Sequence, residues 1–290
     1  MSTVAKQDPD AGYEPAFAAP KNACDAHFHV FGREEQYPYY TLDLRYKPPY
    51  EPLEAYMKLA RRLGFERFVF VQPSAYGFDN SCMLDAMAEV APELRRGVVH
   101  LDETKANDAV LGKWHAQGVR GVRINVSPVR KSEAGFADHL RPKIVRTAAI
   151  CRELGWHLDF LLPGWLTAEL LDRIDRLRVE ATLAHMGMFL AKDGLKQPGF
   201  QRLLKSRCWV KLTGIYRMSQ APGFADAAPM ARALIEANPD RLIWGSDYPH
   251  LSFADQVGSV LLFNLLAGWA PEEAARRRIL VDNPAVLFGF

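Results

Sequence analysis

From residue 24 onward, short runs rich in Val, Ile and Phe alternate with longer segments whose apolar residues recur every three to four positions. The first pattern suits strands buried on both faces, and the second suits helices with one apolar side. The runs that read as strands are CDAHFHVF (24–31), RFVFVQ (67–72), GVVHLD (97–102), VRGVRINV (119–126), WHLDFLL (156–162), EATLAHMG (180–187), CWVKLTG (208–214) and RLIWGSDYPH (241–250). Between and after them lie LEAYMKLARRLG, SCMLDAMAEVA, DAVLGKWHAQG, LRPKIVRTAAICRELG, TAELLDRIDRLR, GFQRLLKSR, FADAAPMARALIEANP and FADQVGSVLLFNLLAGW, each of helical spacing. Eight such units in about 250 residues, with strands too apolar to leave a face in water, predict an α/β chain folded as a single (β/α)8 TIM barrel. The barrel is expected over residues 22–290, ending in a further helix and an apolar plug from PEEAARRRILVDNPAVLFGF. Residues 1–21, rich in Pro, Ala and acidic groups, read as an extended or disordered leader. An open doubly wound sheet is disfavoured, because no GxGxxG follows the first strand and no GxxxxGK[ST] occurs.

Composition narrows the partners. Lys plus Arg number 36 against 34 Asp plus Glu, so the net charge of +2 gives no field that would draw nucleic acid or an anionic membrane. Any anion must be recognised locally. Cys24, Cys82, Cys151 and Cys208 are scattered and form no CxxC pair, which suits a reducing cytoplasm better than a disulfide framework or structural zinc. The amino terminus lacks a basic region followed by an apolar run, and no stretch approaches about 20 apolar residues, so neither export nor a membrane span is expected.

In a barrel of this kind, reactive groups gather at the carboxyl ends of the strands. His27 and His29, two apart in the first strand, project to the same side. An HxH by itself is commonly no more than two polar residues in a sheet, but His185 at the end of the sixth strand and Asp247 at the end of the eighth would meet them at the barrel mouth. His100, His115, His139 and His157 fall where packing or surface roles are expected. Arg123 in the fourth strand, Arg130 in the loop after it and Arg217 past the seventh strand face the same end, where guanidinium groups suit bidentate capture of an oxyanion. Arg130 alone would pass for a solvated loop charge. Arg123, inside an apolar strand, needs an anion or an acidic partner. Ser74 and His250 are further candidates for substrate contact from the loops after the second and last strands. No GxSxG occurs and Cys24, Cys151 and Cys208 lie away from the expected mouth, so covalent catalysis is disfavoured.

The opening HxH, the His of LAHMG, the Asp of WGSDYPH and the closing NPAVLFGF together resemble the amidohydrolase superfamily, from CDAHFHVFG to the carboxyl terminus. Within it, the chain is similar to the branch of 2-pyrone-4,6-dicarboxylate lactonases, 4-sulfomuconolactone hydrolases and sugar-lactone hydrolases and isomerases, all on metal-dependent-hydrolase-like barrels. The resemblance implies opening of a small carboxylated lactone in aromatic or sugar-acid catabolism. Asp247 would be the general base, and His27, His29 and His185 would polarise the carbonyl. Arg123, Arg130 and Arg217 would bind the anionic groups. The binuclear members have a lysine and a histidine at the ends of strands four and five, where this chain has VRINV and DFLLP. A binuclear centre is therefore not expected, and the branch implies that no cofactor is required. The alternative is one zinc on His27, His29, His185 and Asp247, which would suit an aromatic-acid decarboxylase; a lactone isomerase is a second alternative. Met188 stands where the dicarboxylate lactonase pattern has an arginine, which predicts a less cationic space beside His185.

Overall fold

The computed structural model describes residues 9–290. Among them, eight strands form one parallel sheet in chain order: β1 (Cys24–Phe28), β2 (Arg67–Val71), β3 (Arg95–His100), β4 (Val119–Asn125), β5 (His157–Leu161), β6 (Ala181–Leu183), β7 (Trp209–Leu212) and β8 (Leu242–Trp244). The helices that follow them include α1 (Leu53–Leu63), α2 (Ser81–Ala88), α3 (Asp108–Gln117), α4 (Phe136–Leu154), α5 (Gly164–Asp175), α6 (Pro198–Leu203), α7 (Ala228–Ala237) and α8 (Ser259–Trp269). This is the (β/α)8 barrel that the strand count predicts. Its seam is held just beyond the strands, where Asp247 N donates to the His27 carbonyl at 2.8 Å and His29 N donates to that of Tyr248 at 2.9 Å. Gly245 permits this approach, because a Cβ there would fall 2.7 Å from the His27 backbone nitrogen.

The two ends of the barrel differ in chemistry. Toward the amino ends of the strands, Cys24, Ala26, Val69, Val98, Ile243 and Phe288 make a dry plug, with Phe288 supplied by the carboxyl-terminal helix. Arg96 fastens that helix by donating to the carbonyls of Phe288, at 2.9 Å, and Gly289. Above the plug the interior becomes polar, with Arg123, Asp159 and Lys211 all buried. Charged groups removed from water need partners, and Lys211 finds one in Asp159 at 3.0 Å.

Strands β1, β6 and β8 stop short of the predicted ends. His185 and Asp247 have φ of +52° and +56°, a left-handed backbone that breaks the ladder and is costly for residues other than glycine. Helix α4 begins at Phe136, one turn before the predicted Leu140. Pro142 lies inside the helix, and Ala137 of the added turn is buried. Residues 1–8 of the expected leader lie outside the described residues. The rest of it runs along α8: Asp10 accepts from Val260 N at 2.9 Å, and Phe17 stacks on Phe263 at 4.3 Å between centroids. Among the described residues, no helix is long and apolar enough to cross a membrane.

Candidate active site

A register shift between Asp25 and Phe28 in β1 marks a bulge, after which Phe28 stacks outward on Tyr56 of α1 while His27 reaches Lys211 of β7 inside the barrel. His29 follows the strand end and meets the His27 ring edge-on at 5.0 Å. His185 is turned into the mouth by its left-handed backbone and packs against Gly214, where a Cβ would fall 2.3 Å from its Nδ1. The left-handed turn at Asp247 completes the group. Nε2 of His27 and of His29 lie 3.5 and 3.6 Å from Asp247 Oδ1, and Nε2 of His185 lies 3.7 Å from Oδ2.

The two carboxylate oxygens have different surroundings. Oδ2 accepts a 2.5 Å hydrogen bond from the Tyr216 hydroxyl and faces Arg217 Nε at 3.5 Å, while Oδ1 faces only the imidazoles of His27 and His29 among these groups. Burial opposes ionisation of Asp247, but the ring of imidazoles and the Arg217 guanidinium around it outweigh that and hold the carboxyl well below its usual range. Burial drives the histidines the other way. His185 is lowered to about 3 and His250 to about 4, and His27 and His29 are lowered too, so the imidazoles are neutral beside an ionised carboxylate.

Above this group opens a cavity of about 910 Å³. His29, His185 and Asp247 line its deep end, whereas His27 is fully buried beneath and is not part of the lining. Four cations face the cavity: Arg45, Arg123, Arg130 and Arg217. Arg123 donates to the Gln72 carbonyl at 2.8 Å and leaves its buried Nε without a partner. Arg130 lies at the rim, 40% exposed, paired with Glu133 at 2.5 Å and stacked over Phe136. Ser74 lines the wall and shares a 3.1 Å hydrogen bond with Tyr46. His250 is placed behind Asp247, outside the lining, with its Nε2 near the Ser246 carbonyl and the Ser259 hydroxyl. Met188, Phe189 and Leu190 make the wall beside His185 apolar.

Several neighbours escape the sequence reading. Lys211 and Asp159 form a fully buried pair at 3.0 Å, and Lys211 also lies 3.1 Å from His27 Nδ1. Their signal was a charge inside an apolar strand, the same signal that singles out Arg123. Tyr216 and Arg45 carried none, since both fall in irregular segments where periodicity is silent.

A family model for amidohydrolases matches residues 24–290. The chain belongs to the amidohydrolase family. This amidohydrolase is 36% identical to a 4-sulfomuconolactone hydrolase of Hydrogenophaga intermedia, over 94% of its own length and 90% of the relative's. It is 30% identical to a 2-pyrone-4,6-dicarboxylate hydrolase of Comamonas testosteroni, over 95% and 92% of the two chains. A solved Pseudomonas putida structure, that of a candidate 2-pyrone-4,6-dicarboxylic acid hydrolase, matches with a TM-score of 0.80 at 32% identity, covering 92% of this chain and 97% of that one.

A solved amidohydrolase of Burkholderia multivorans that shares the fold, with a TM-score of 0.70 at 17% identity, holds zinc, and in this chain His27, His29 and Asp247 offer ligand atoms all within 4.8 Å of one another. His29 suits a cation: its Nδ1 lies 2.7 Å from the Val71 carbonyl, so the proton is there and the Nε2 lone pair is free. His27 does not suit one. A ligand histidine normally donates its second nitrogen to a carbonyl or carboxylate, and His27 instead meets the Lys211 amine.

Proposed function

We propose that the protein hydrolyses a small carboxylated lactone by direct attack of water, without requiring a metal. The observation that carries this reading is Asp247, buried among three imidazoles at 3.5–3.7 Å and held by Tyr216, at the deep end of a cavity that four arginines face. Asp247 Oδ1 takes a proton from water, and the bare Nε2 of His29, 3.6 Å away, accepts that water's second hydrogen bond. His185 faces the lactone carbonyl from the opposite oxygen of the carboxylate and stabilises the oxyanion that develops there. Collapse of the tetrahedral adduct re-forms the carbonyl and breaks the ring C–O bond, and Asp247 returns the proton it took from water to the departing ring oxygen, which leaves as a hydroxyl. Arg123, Arg217, Arg45 and, from the rim, Arg130 receive the anionic substituents, with Ser74 on the wall. The names of the relatives, lactone hydrolases whose substrates bear sulfonate or carboxylate groups, support this substrate class.

The test is a panel of lactones differing in the number of carboxylates, assayed with Asp247→Asn and with chelator followed by zinc. The substitution should lower turnover by about a hundred- to ten-thousand-fold while substrate still binds. Chelation should leave the wild-type rate unchanged. Full activity in Asp247→Asn would refute the base, and loss on chelation with recovery on zinc would refute the metal-free reaction.

A further inference from the structure

We infer that Lys211 is a positioning residue: it fixes the tautomer of His27 and thereby aims an N–H at the oxygen of Asp247 that receives the proton. The inference rests on the lactonase reading for its kinetic consequence and on geometry alone for its structural one. Lys211 stands on β7 and His27 on β1, 184 positions apart in sequence, and closure of the barrel brings Nζ to 3.1 Å from Nδ1. Both side chains are fully buried. On its other side, Nζ is 3.0 Å from Asp159 Oδ1, and the same oxygen accepts from the Thr182 hydroxyl. A lysine paired with a carboxylate is an ammonium, which has donors and no acceptor. Nδ1 of His27 must then be the acceptor, and a neutral ring carries its one proton on Nε2.

That proton points where the site uses it. Nε2 of His27 is buried with no hydrogen bond inside the normal limit, and the acceptor it faces is Asp247 Oδ1 at 3.5 Å. The chain Thr182, Asp159, Lys211, His27, Asp247 thus crosses the barrel interior and ends on the base. His29, with its proton held at Nδ1 by Val71, presents a lone pair to the same oxygen. The two histidines of one HxH therefore have opposite polarity: His27 turns its N–H toward Asp247 Oδ1 at 3.5 Å, and His29 presents a lone pair beside it. With the proton of His27 on the other nitrogen, two lone pairs would face Oδ1 and the carboxylate would lose its donor on that side.

The experiment reads the tautomer directly. In the full-length protein labelled with ¹⁵N at histidine, long-range proton–nitrogen correlation should show His27 protonated at Nε2, the signal being assigned by its loss in His27→Gln. Lys211→Met leaves Asp159 buried and unpaired and can fail to fold, so the double variant Lys211→Met/Asp159→Asn removes both charges together. With folding verified by its thermal melt, that variant should show a population of His27 protonated at Nδ1. Its kcat on a carboxylated lactone should fall roughly ten- to a hundred-fold with KM nearly unchanged, the range for loss of an outer hydrogen-bond partner. A wild-type His27 protonated at Nδ1, or a folded double variant with unchanged tautomer and kcat, would overturn the inference. Absence of lactone turnover alongside an Nε2 proton would instead fault the reaction reading, because the tautomer measurement needs no substrate.

Discussion

The hydroxyl of Tyr216 donates a 2.5 Å hydrogen bond to Oδ2 of Asp247, tying the turn after β7 to the turn after β8. Arg217 Nε approaches the same oxygen at 3.5 Å, so one edge of the carboxylate is occupied by the protein and the other is left for chemistry. A hydrogen bond to a charged group contributes about 1.5–3 kcal/mol. Tyr216→Phe should therefore lower kcat about tenfold or more while KM changes little. An unchanged kcat would show that Arg217 alone orients the base.

The cations should separate by depth. Arg45 is ion-paired with no carboxylate among the described residues; it donates to Ser127 Oγ at 3.0 Å, and burial together with Arg217 and Arg123 disfavours its charge. Arg45→Met should leave the melting temperature nearly unchanged and raise KM for doubly anionic lactones about tenfold, with a smaller effect on singly charged ones. Arg130→Ala should weaken binding less, because that guanidinium is at the rim and already paired. Esterifying the substrate carboxylates should abolish the preference, since buried guanidinium groups would be left without an anion. Equal rates on acids and methyl esters would exclude an anion site.

The apolar wall beside His185 gives a separate expectation. Met188→Arg should shift the ratio of kcat/KM values toward the dicarboxylated member of a lactone pair, as read by competition between the two. A ratio that stays constant would mean that the second anionic group is bound elsewhere in the cavity.

Gly214 has φ of +61° and supports the His185 ring. Gly214→Ala should destabilise the fold by about 1–3 kcal/mol through backbone strain and crowding. Activity should fall further than the melt implies, because His185 must move. Measurement of kcat well below the melting temperature separates the two effects.

Stability should fall on acidification before ordinary carboxylates titrate. Burial lowers His100, His157 and His250 to about 4 and His185 to about 3, and lowers His27 and His29 as well. In the unfolded chain these groups bind protons near pH 6.5, while in the folded chain they stay neutral. Their contribution is complete above pH 6.5 and is lost as pH falls toward 4. Asp25, raised by burial to about 6, acts in the opposite sense over pH 3.8 to 6, but it is one group against six. A melting temperature that is flat between pH 6.5 and 4.5 would contradict this balance. Asp247 remains ionised throughout, so any acid limb of activity should follow unfolding rather than titration of the base.

The order of elements was written in the sequence. Parallel strands covered on both faces must be apolar along their length, and that physical demand makes eight short runs readable without any knowledge of pairing. The same contrast exposed His185 and Asp247, polar residues that interrupt apolar runs at strand ends, and Arg123, a charge inside one. It also displayed Lys211 and Asp159, but gave neither a partner, because a charge in a strand reveals a need without saying what meets it. Only closure of the barrel brings β7 against the His27 ring of β1 and joins Lys211 to both Asp159 and Nδ1. Proximity in sequence misled at His250: left-handed turns at Asp247 and His250 direct that ring toward Ser246 and Ser259, away from the cavity. Arg45 reaches the cavity from a loop with no periodicity to read. Periodicity is a property of neighbours along the chain, whereas the direction of each charge is decided by bulges, turns and closure, which depend on contacts between residues far apart in sequence.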